Sequence, residues 1–281
     1  MGVRLSALVL VAASLSGVGA AASAAGAGDA VVPTHGPVPA VQPLPVDAPA
    51  DYQLGGAYPL PTGVRVVARD HRESPAGDFA ICYVNAFQTQ PEQRRWWRAR
   101  HPDLLLRRRG RAVTDPGWRG EVLLDTRTPE RRRALARIVG RWIDGCAAAG
   151  FDAVEPDNLD SWTRSRGLLR RSDAVAYSRL LVARAHRAGL ALAQKNAASL
   201  LGARKRVGWD FVVAEECQVY RECGRFERAY GTAMIEIEYV DAGGRRGFQS
   251  ACAARGQRIA VVYRDRDLLP AGRRGHVFDT C

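Results

Sequence analysis

Five short apolar runs in this 281-residue chain each end in a cluster of ionisable side chains. Val122–Leu124 leads into Asp125 and Arg127, and Ala153-Val154 into Glu155, Pro156, Asp157, Asn158 and Asp160. Leu190–Gln194 leads into Lys195 and Asn196, Phe211–Ala214 into Glu215 and Glu216, and Met234-Ile235 into Glu236, Glu238 and Tyr239. A single charge in such a place is an ordinary strand end facing solvent. Recurrence at five successive runs points to a constellation. Side chains alternate along a strand, so Glu155 and Asp157 share a face, and Glu215 shares one with Phe211 and Val213. Glu216 is then expected to turn away or to open the following loop. Two inward carboxylates on nearby strands are what cleavage of a glycosidic bond needs. One donates a proton to the departing oxygen, and the other stabilises or attacks the developing oxocarbenium ion. Lys195, on the intervening strand, can hold a neighbouring carboxylate ionised and so separate the two pKa values.

The elements that must position these groups alternate in type. Short β-rich runs are expected at Tyr52–Leu54, Val64–Val67, Phe79–Val84, Val122–Leu124, Ala153–Glu155, Leu190–Ala193, Phe211–Ala214, Ala233–Ile237 and Ile259–Tyr263. Amphipathic helices separate several of them. The clearest begins at Thr128-Pro129, a capping Thr with Pro at the first helical position. It keeps Leu135, Ile138, Val139, Trp142 and Cys146 on one face and stops at Gly150. A second helix spans about Ser172 to His186. Continuous apolar strands alternating with helices imply a parallel sheet covered by helices, and about eight strands imply an α/β fold of the (β/α)8 TIM-barrel type. The segment from Asp70 to Phe79 is too short and polar for a full helix, so the first unit is expected to be incomplete. A doubly wound sheet would carry a Gly-rich phosphate turn, which Gly55-Gly56 does not match.

Arg4 is followed by a short apolar run and by small residues that offer a cleavage site ending at Ala24. Residues 1–24 therefore read as a secretory signal peptide, residues 25–50 as a flexible linker, and residues 51–281 as the barrel domain. The implied location is secreted, with no membrane association once the leader is removed. Six cysteines behind a leader favour disulfides, and proximity favours Cys217–Cys223 and Cys252–Cys281. Cys82 and Cys146 are left either to pair or to remain buried thiols. The net charge of +12 comes almost wholly from arginine, with Lys195 and Lys205 the only lysines among 41 basic residues. The runs Arg107–Arg109 and Arg131–Arg133 read as solvated faces, so nucleic acid is not expected as a partner. The five histidines make no ligand spacing, and no metal is expected. Trp96-Trp97 reads as packing or a lid anchor, and Trp162 equally as a platform for a sugar ring or as core packing.

These residues together resemble glycoside hydrolase family 114, the endo-α-1,4-polygalactosaminidase family. The resemblance runs from about Tyr52 to Asp241. It rests on Tyr52-Gln53-Leu54, Ile81-Cys82-Tyr83, Trp118-Arg119-Gly120-Glu121 with Leu124-Asp125, and Gly150 to Asn158. It continues through Lys195-Asn196, Glu215-Glu216-Cys217 with Tyr220 and Glu222-Cys223, and Glu238-Tyr239. It implies a barrel acting on α-1,4-linked galactosamine polymers without a cofactor, with acids at the ends of the fourth and sixth barrel strands. Those acids fall here on Asp157 and Glu215. Glu155, Asp125, Lys195, Asn158, Glu238, Tyr83 and Trp162 are expected to bind substrate. A polysaccharide is the expected partner of a monomer. One departure stands out: Phe87-Gln88-Thr89-Gln90 replaces the family's Gly-Ser-x-Glu, so an amide stands where a carboxylate is common. The alternatives are a non-catalytic carbohydrate-binding barrel, a hydrolase of another extracellular or cell-wall glycan, and a basic surface-binding protein.

Overall fold

A computed structural model of the chain describes residues 40–281. Its strands are β1 (Ala50–Gln53), β2 (Val66–Asp70), β3 (Phe79–Asn85), the short pair β4 (Arg107–Arg108) and β5 (Arg111–Ala112), β6 (Ala153–Asp157), β7 (Ala191–Lys195), β8 (Phe211–Glu215), β9 (Met234–Tyr239), β10 (Ala260–Arg264) and β11 (Phe278–Thr280). Among them run helices α1 (Arg94–Arg100), α2 (Pro129–Ala149), α3 (Arg171–Arg187), α4 (Arg204–Val207), α5 (Cys223–Tyr230) and α6 (Gly244–Arg255). One sheet has the order β1-β2-β3-β6-β7-β8-β9-β10-β11, parallel throughout except for the antiparallel β11. Eight parallel strands curl into a nearly closed barrel, the expected α/β architecture.

The side-chain alternation of each strand sorts the core in two. Inward residues such as Ile81, Ala153, Phe211, Val213, Ile237 and Val262 fill the barrel. Outward residues such as Val84, Val154, Leu192 and Val212 pack under the helices against Leu135, Ile143 and Leu181. α2 follows its sequence signals closely. The Thr128 hydroxyl accepts the Arg131 amide at 3.3 Å, Pro129 opens the helix, and Gly150 ends it at φ 92°. Its Cys146 is bonded to Cys82 on the outer face of β3, while Cys217–Cys223 and Cys252–Cys281 form the other two disulfides.

The seam between β1 and β10 is bridged by a side chain. Arg264 is fully buried, and its Nη1 donates to Asp51 Oδ1 at 2.9 Å and to the Tyr52 carbonyl. The connections β1–β2 and β2–β3 both lack a helix, so the barrel is incomplete over two units rather than the one expected.

Two expectations change. Val122–Leu124 is no barrel strand. It is held by isolated antiparallel bridges to Gln88, Leu105 and Thr114 inside the long segment between β3 and α2. Its apolar residues find burial there, Leu123 against Leu106, Val113 and Leu169, so no parallel neighbour is needed. Part of the expected linker belongs to the barrel, because Leu44, Ala48 and Ala50 are buried against it. The expected signal peptide, residues 1–24, lies outside the described residues.

Candidate active site

A cleft opens at the C-terminal ends of the strands, where barrel chemistry collects. The strands β6, β7 and β8 each end in a charged residue, Asp157, Lys195 and Glu215, and each is followed by a residue in the left-handed region: Asn158 at φ 64°, Asn196 at 46° and Glu216 at 56°. Asparagine tolerates that region better than most residues. The break at each strand end re-aims the next side chain across the mouth of the barrel: Asn158 meets Asn85 and Arg164, and Glu216 meets Arg266. Asn196 grips Glu215 at two points, its Oδ1 accepting the Glu215 amide at 2.7 Å and its Nδ2 donating to Oε2 at 2.8 Å.

Lys195 is the hub. Its Nζ lies 2.8 Å from Glu155 Oε1, 3.2 Å from Glu215 Oε2 and 3.4 Å from Asp157 Oδ1, and it donates to Tyr52 Oη at 2.8 Å. Burial works against its charge, but Asp157, Glu155 and Glu215 outweigh it and raise the lysine well above its ordinary value. Burial pushes the Glu155 carboxyl up, while Lys195 and the Tyr52 hydroxyl, 2.5 Å away, pull it back. Each outer acid has its own tyrosine. Tyr83 donates to Asp157 Oδ2 at 2.8 Å, and Tyr239 to Glu215 Oε1 at 2.6 Å. Burial, reinforced by the adjoining carboxylates, raises all three tyrosines well above their usual range, so they stay donors.

Of the residues expected from sequence, Asp157, Glu215, Lys195, Asn158 and Tyr83 line the cleft, and Glu155 sits directly beneath it, fully buried. Three do not reach it. Asp125 follows Val122–Leu124 into a cluster with Arg127 and Arg131, at 2.6 and 2.7 Å. Glu238 lies on the outward face of β9, because Ile237 and Tyr239 take the inward one, and it accepts the Gln218 amide at 3.0 Å. Trp162 packs on the apolar cores beside the cleft instead of into it. Glu216 takes the second of its two expected places, opening the loop after β8, but it does not leave the cleft. Its left-handed backbone breaks the alternation and leaves it at the cleft, paired with Arg266.

Sequence reasoning passed over several cleft residues. Glu121 is held by Asn85 Nδ2 at 2.9 Å and Gln88 Nε2 at 2.7 Å, and burial raises its carboxyl against those hydrogen bonds. Trp118 is 54% exposed and Tyr220 65% exposed, and both line the cleft. The signal for Glu121 and Trp118 was their place in the motif Trp118-Arg119-Gly120-Glu121. Around the cleft stand ten acidic side chains against four basic ones, in a chain whose net charge is +12. Gln90, at the departure from the family pattern, donates to Asp70 at 2.9 Å on the rim.

The model of glycoside-hydrolase family GH114 matches residues 33–281. The chain belongs to family GH114. It is a glycoside hydrolase. Among solved structures, Ega3 of Aspergillus fumigatus in complex with galactosamine aligns with a TM-score of 0.66 at 20% identity, covering 87% of this chain and 97% of that one. The glycoside hydrolase domain of PelA from Pseudomonas aeruginosa aligns with a TM-score of 0.56 at 15% identity, covering 79% and 96%. At such identities the two likenesses carry the GH114 barrel alone. No curated protein matches the chain.

Proposed function

We propose that this GH114 chain is an exported hydrolase of α-1,4-linked galactosamine polymers whose amines are free, acting through Asp157 and Glu215. The carrying observation is the acidic cleft on a basic protein. Ten carboxylates against four cations favour a substrate that bears positive charge, and a galactosamine unit without its acetyl group does. Ega3, bound to galactosamine in its crystal, supports the same sugar. Trp118 and Tyr220 offer faces for the rings on either side of the reacting bond. Closure of all six cysteines in disulfides supports an oxidising, extracellular setting.

Asp157 and Glu215 each place an oxygen within 3.4 Å of Lys195 Nζ. The shared ammonium holds these two oxygens at most about 6.6 Å apart, closer to the about 5–5.5 Å of retaining enzymes than to most of the about 6.5–9.5 Å range of inverting ones. That supports a retaining reaction. Asp157, fixed by the Asn158 amide at 2.7 Å and by Tyr83, is the ionised nucleophile. It attacks the anomeric carbon while Glu215 gives its proton to the departing oxygen. Glu215 then takes a proton from water as that water displaces Asp157 from the glycosyl ester. Lys195, itself held charged, bridges the two acids and fixes their spacing.

The test is reducing-end release from galactosaminan before and after chemical N-acetylation. Free-amine polymer is expected to be cut with retention at the anomeric centre. Asp157→Asn and Glu215→Gln are each expected to lose at least about 100-fold in kcat/KM. Equal cleavage of the N-acetylated polymer would overturn the assignment to free amines.

A further inference from the structure

The segment between β3 and α2 carries a charge opposite to that of the cleft. Between residues 94 and 112 stand eight arginines, at 94, 95, 98, 100, 107, 108, 109 and 111, with Asp103 the single acid, so this short stretch supplies most of the chain's net +12. All eight are exposed. Among the described residues, no carboxylate lies within 4.0 Å of any of their guanidinium nitrogens. Arginines around the cleft behave differently: Arg72, Arg164 and Arg266 are all paired.

The β4–β5 hairpin adds an independent observation. Its two turn residues, Arg109 and Gly110, are both left-handed, at φ 49° and 77°. A two-residue turn of this kind favours Asn or Asp in the first position, where a long side chain is strained. Arg108 faces Arg111 across the ladder, a like-charge pair that works against the hairpin. Local choices that oppose stability gather at functional surfaces, and a polyanionic ligand would supply the charge missing here. Arg107 donates from Nε to the carbonyl of Pro102, in the turn that follows α1, at 3.4 Å and from Nη1 to the Gly110 carbonyl of its own hairpin at 2.9 Å. Trp96, 38% exposed, stands on α1 between Arg95 and Arg98, with its partner Trp97 buried beneath.

We propose that α1 and the β4–β5 hairpin form a binding surface for nucleic acid, read through its phosphodiester backbone and without sequence preference. Arginine forks match phosphate oxygens, and one exposed indole beside them suits base stacking. A lipid surface fits less well, because a single aromatic ring gives no apolar face to bury in the headgroup boundary. In the sequence the run at 107–109 reads as a solvated face; in the fold its strained turn and like-charge pair single it out.

The test measures retention of short duplex DNA by the full exported chain across a salt series. Wild type is expected to bind, with log K falling linearly in log salt at a slope of about −0.9 per phosphate neutralised. Arg107→Gln, Arg108→Gln, Arg109→Gln and Arg111→Gln in combination should flatten that slope by about 3 to 4 while glycan hydrolysis is unchanged. A charge-matched variant on α2 and α3, replacing exposed Arg137, Arg141, Arg179 and Arg187 with Gln, should shift it by less than about 1. Equal flattening in both variants would reduce the effect to net charge and overturn the proposal. So would absence of binding by wild type, or tighter binding to anionic vesicles than to DNA.

Discussion

Glu155 and Glu238 are both buried acids on barrel strands, and which way each strand turns its face makes them opposites. Glu155 faces inward, where Lys195 and Tyr52 meet one of its oxygens. Glutamine at 155 keeps an acceptor for both, so Glu155→Gln is expected to lose far less kcat/KM than Asp157→Asn, whose charge must act on carbon. An inactive Glu155→Gln beside an active Asp157→Asn would mean that the pair is misassigned by one position on that face. Glu238 faces outward beside Glu236, which is held by Arg255 at 2.6 Å. Burial first, then the charge of Glu236, lifts the Glu238 carboxyl to about 8. In the unfolded chain it ionises near its ordinary value of about 4.3. Between these values the unfolded state holds fewer protons than the folded one. The stability tied to protonated Glu238 is therefore complete at low pH and is lost as pH rises to about 8. Glu238→Gln mimics the protonated form, so its stability relative to wild type should grow between pH 5 and pH 8. Urea unfolding at both ends checks this, and a constant difference would contradict the shift.

At the scale of elements, Arg264 does what a ladder does elsewhere. It is fully buried and ties β10 to β1 through Asp51. Arg264→Met leaves Asp51 charged and buried without its cation, which should cost about 3–5 kcal/mol in urea unfolding. Arg264→Met with Asp51→Asn should recover part of it, whereas no recovery would mean that the seam depends on the guanidinium's carbonyl contacts. Nothing in sequence periodicity announces such a seam, since the ladder's absence is a matter of closure. What periodicity does reveal is each strand's own face. That is why seven of the nine expected runs fall on barrel strands of parallel register with near-matching bounds, and why Asp157, Glu215 and Lys195 were legible together. Val64–Val67 overlaps β2 but starts early, because the strand there extends into Arg69 and Asp70, polar residues that apolarity cannot flag. Val122–Leu124 failed for a different reason. A short buried apolar run looks the same whether parallel strands or a folded insertion cover it. Asp125 was carried off with it. Glu216 and Trp162 depend on a left-handed residue and on loop packing, neither of which follows from alternation.

The molecule as a whole is electrically two-sided, and the salt dependence of its activity should show it. A cationic oligosaccharide approaching from a distance meets a body of net charge +12. Near the mouth it meets the ten carboxylates and four cations of the cleft. The reach of each field is set by the Debye length, about 30 Å at 0.01 M salt and about 10 Å at 0.1 M. At the lowest salt the repulsion of the whole body extends over the approach path and slows encounter. Toward 0.1 M that repulsion is screened while the cleft, only a few ångströms from a bound amine, still attracts. Above that, toward 1 M and a Debye length of about 3 Å, the cleft's attraction fades as well. For a free-amine galactosamine oligomer, kcat/KM should therefore rise and then fall, with a maximum near about 0.1 M. The N-acetylated oligomer carries no charge, and any residual turnover of it should be flat over the same series. A steady fall from the lowest salt would mean that the cleft's field governs approach at every distance. A flat profile for the free-amine oligomer would remove electrostatic selection from the mechanism and leave ring stacking on Trp118 and Tyr220 to hold the substrate.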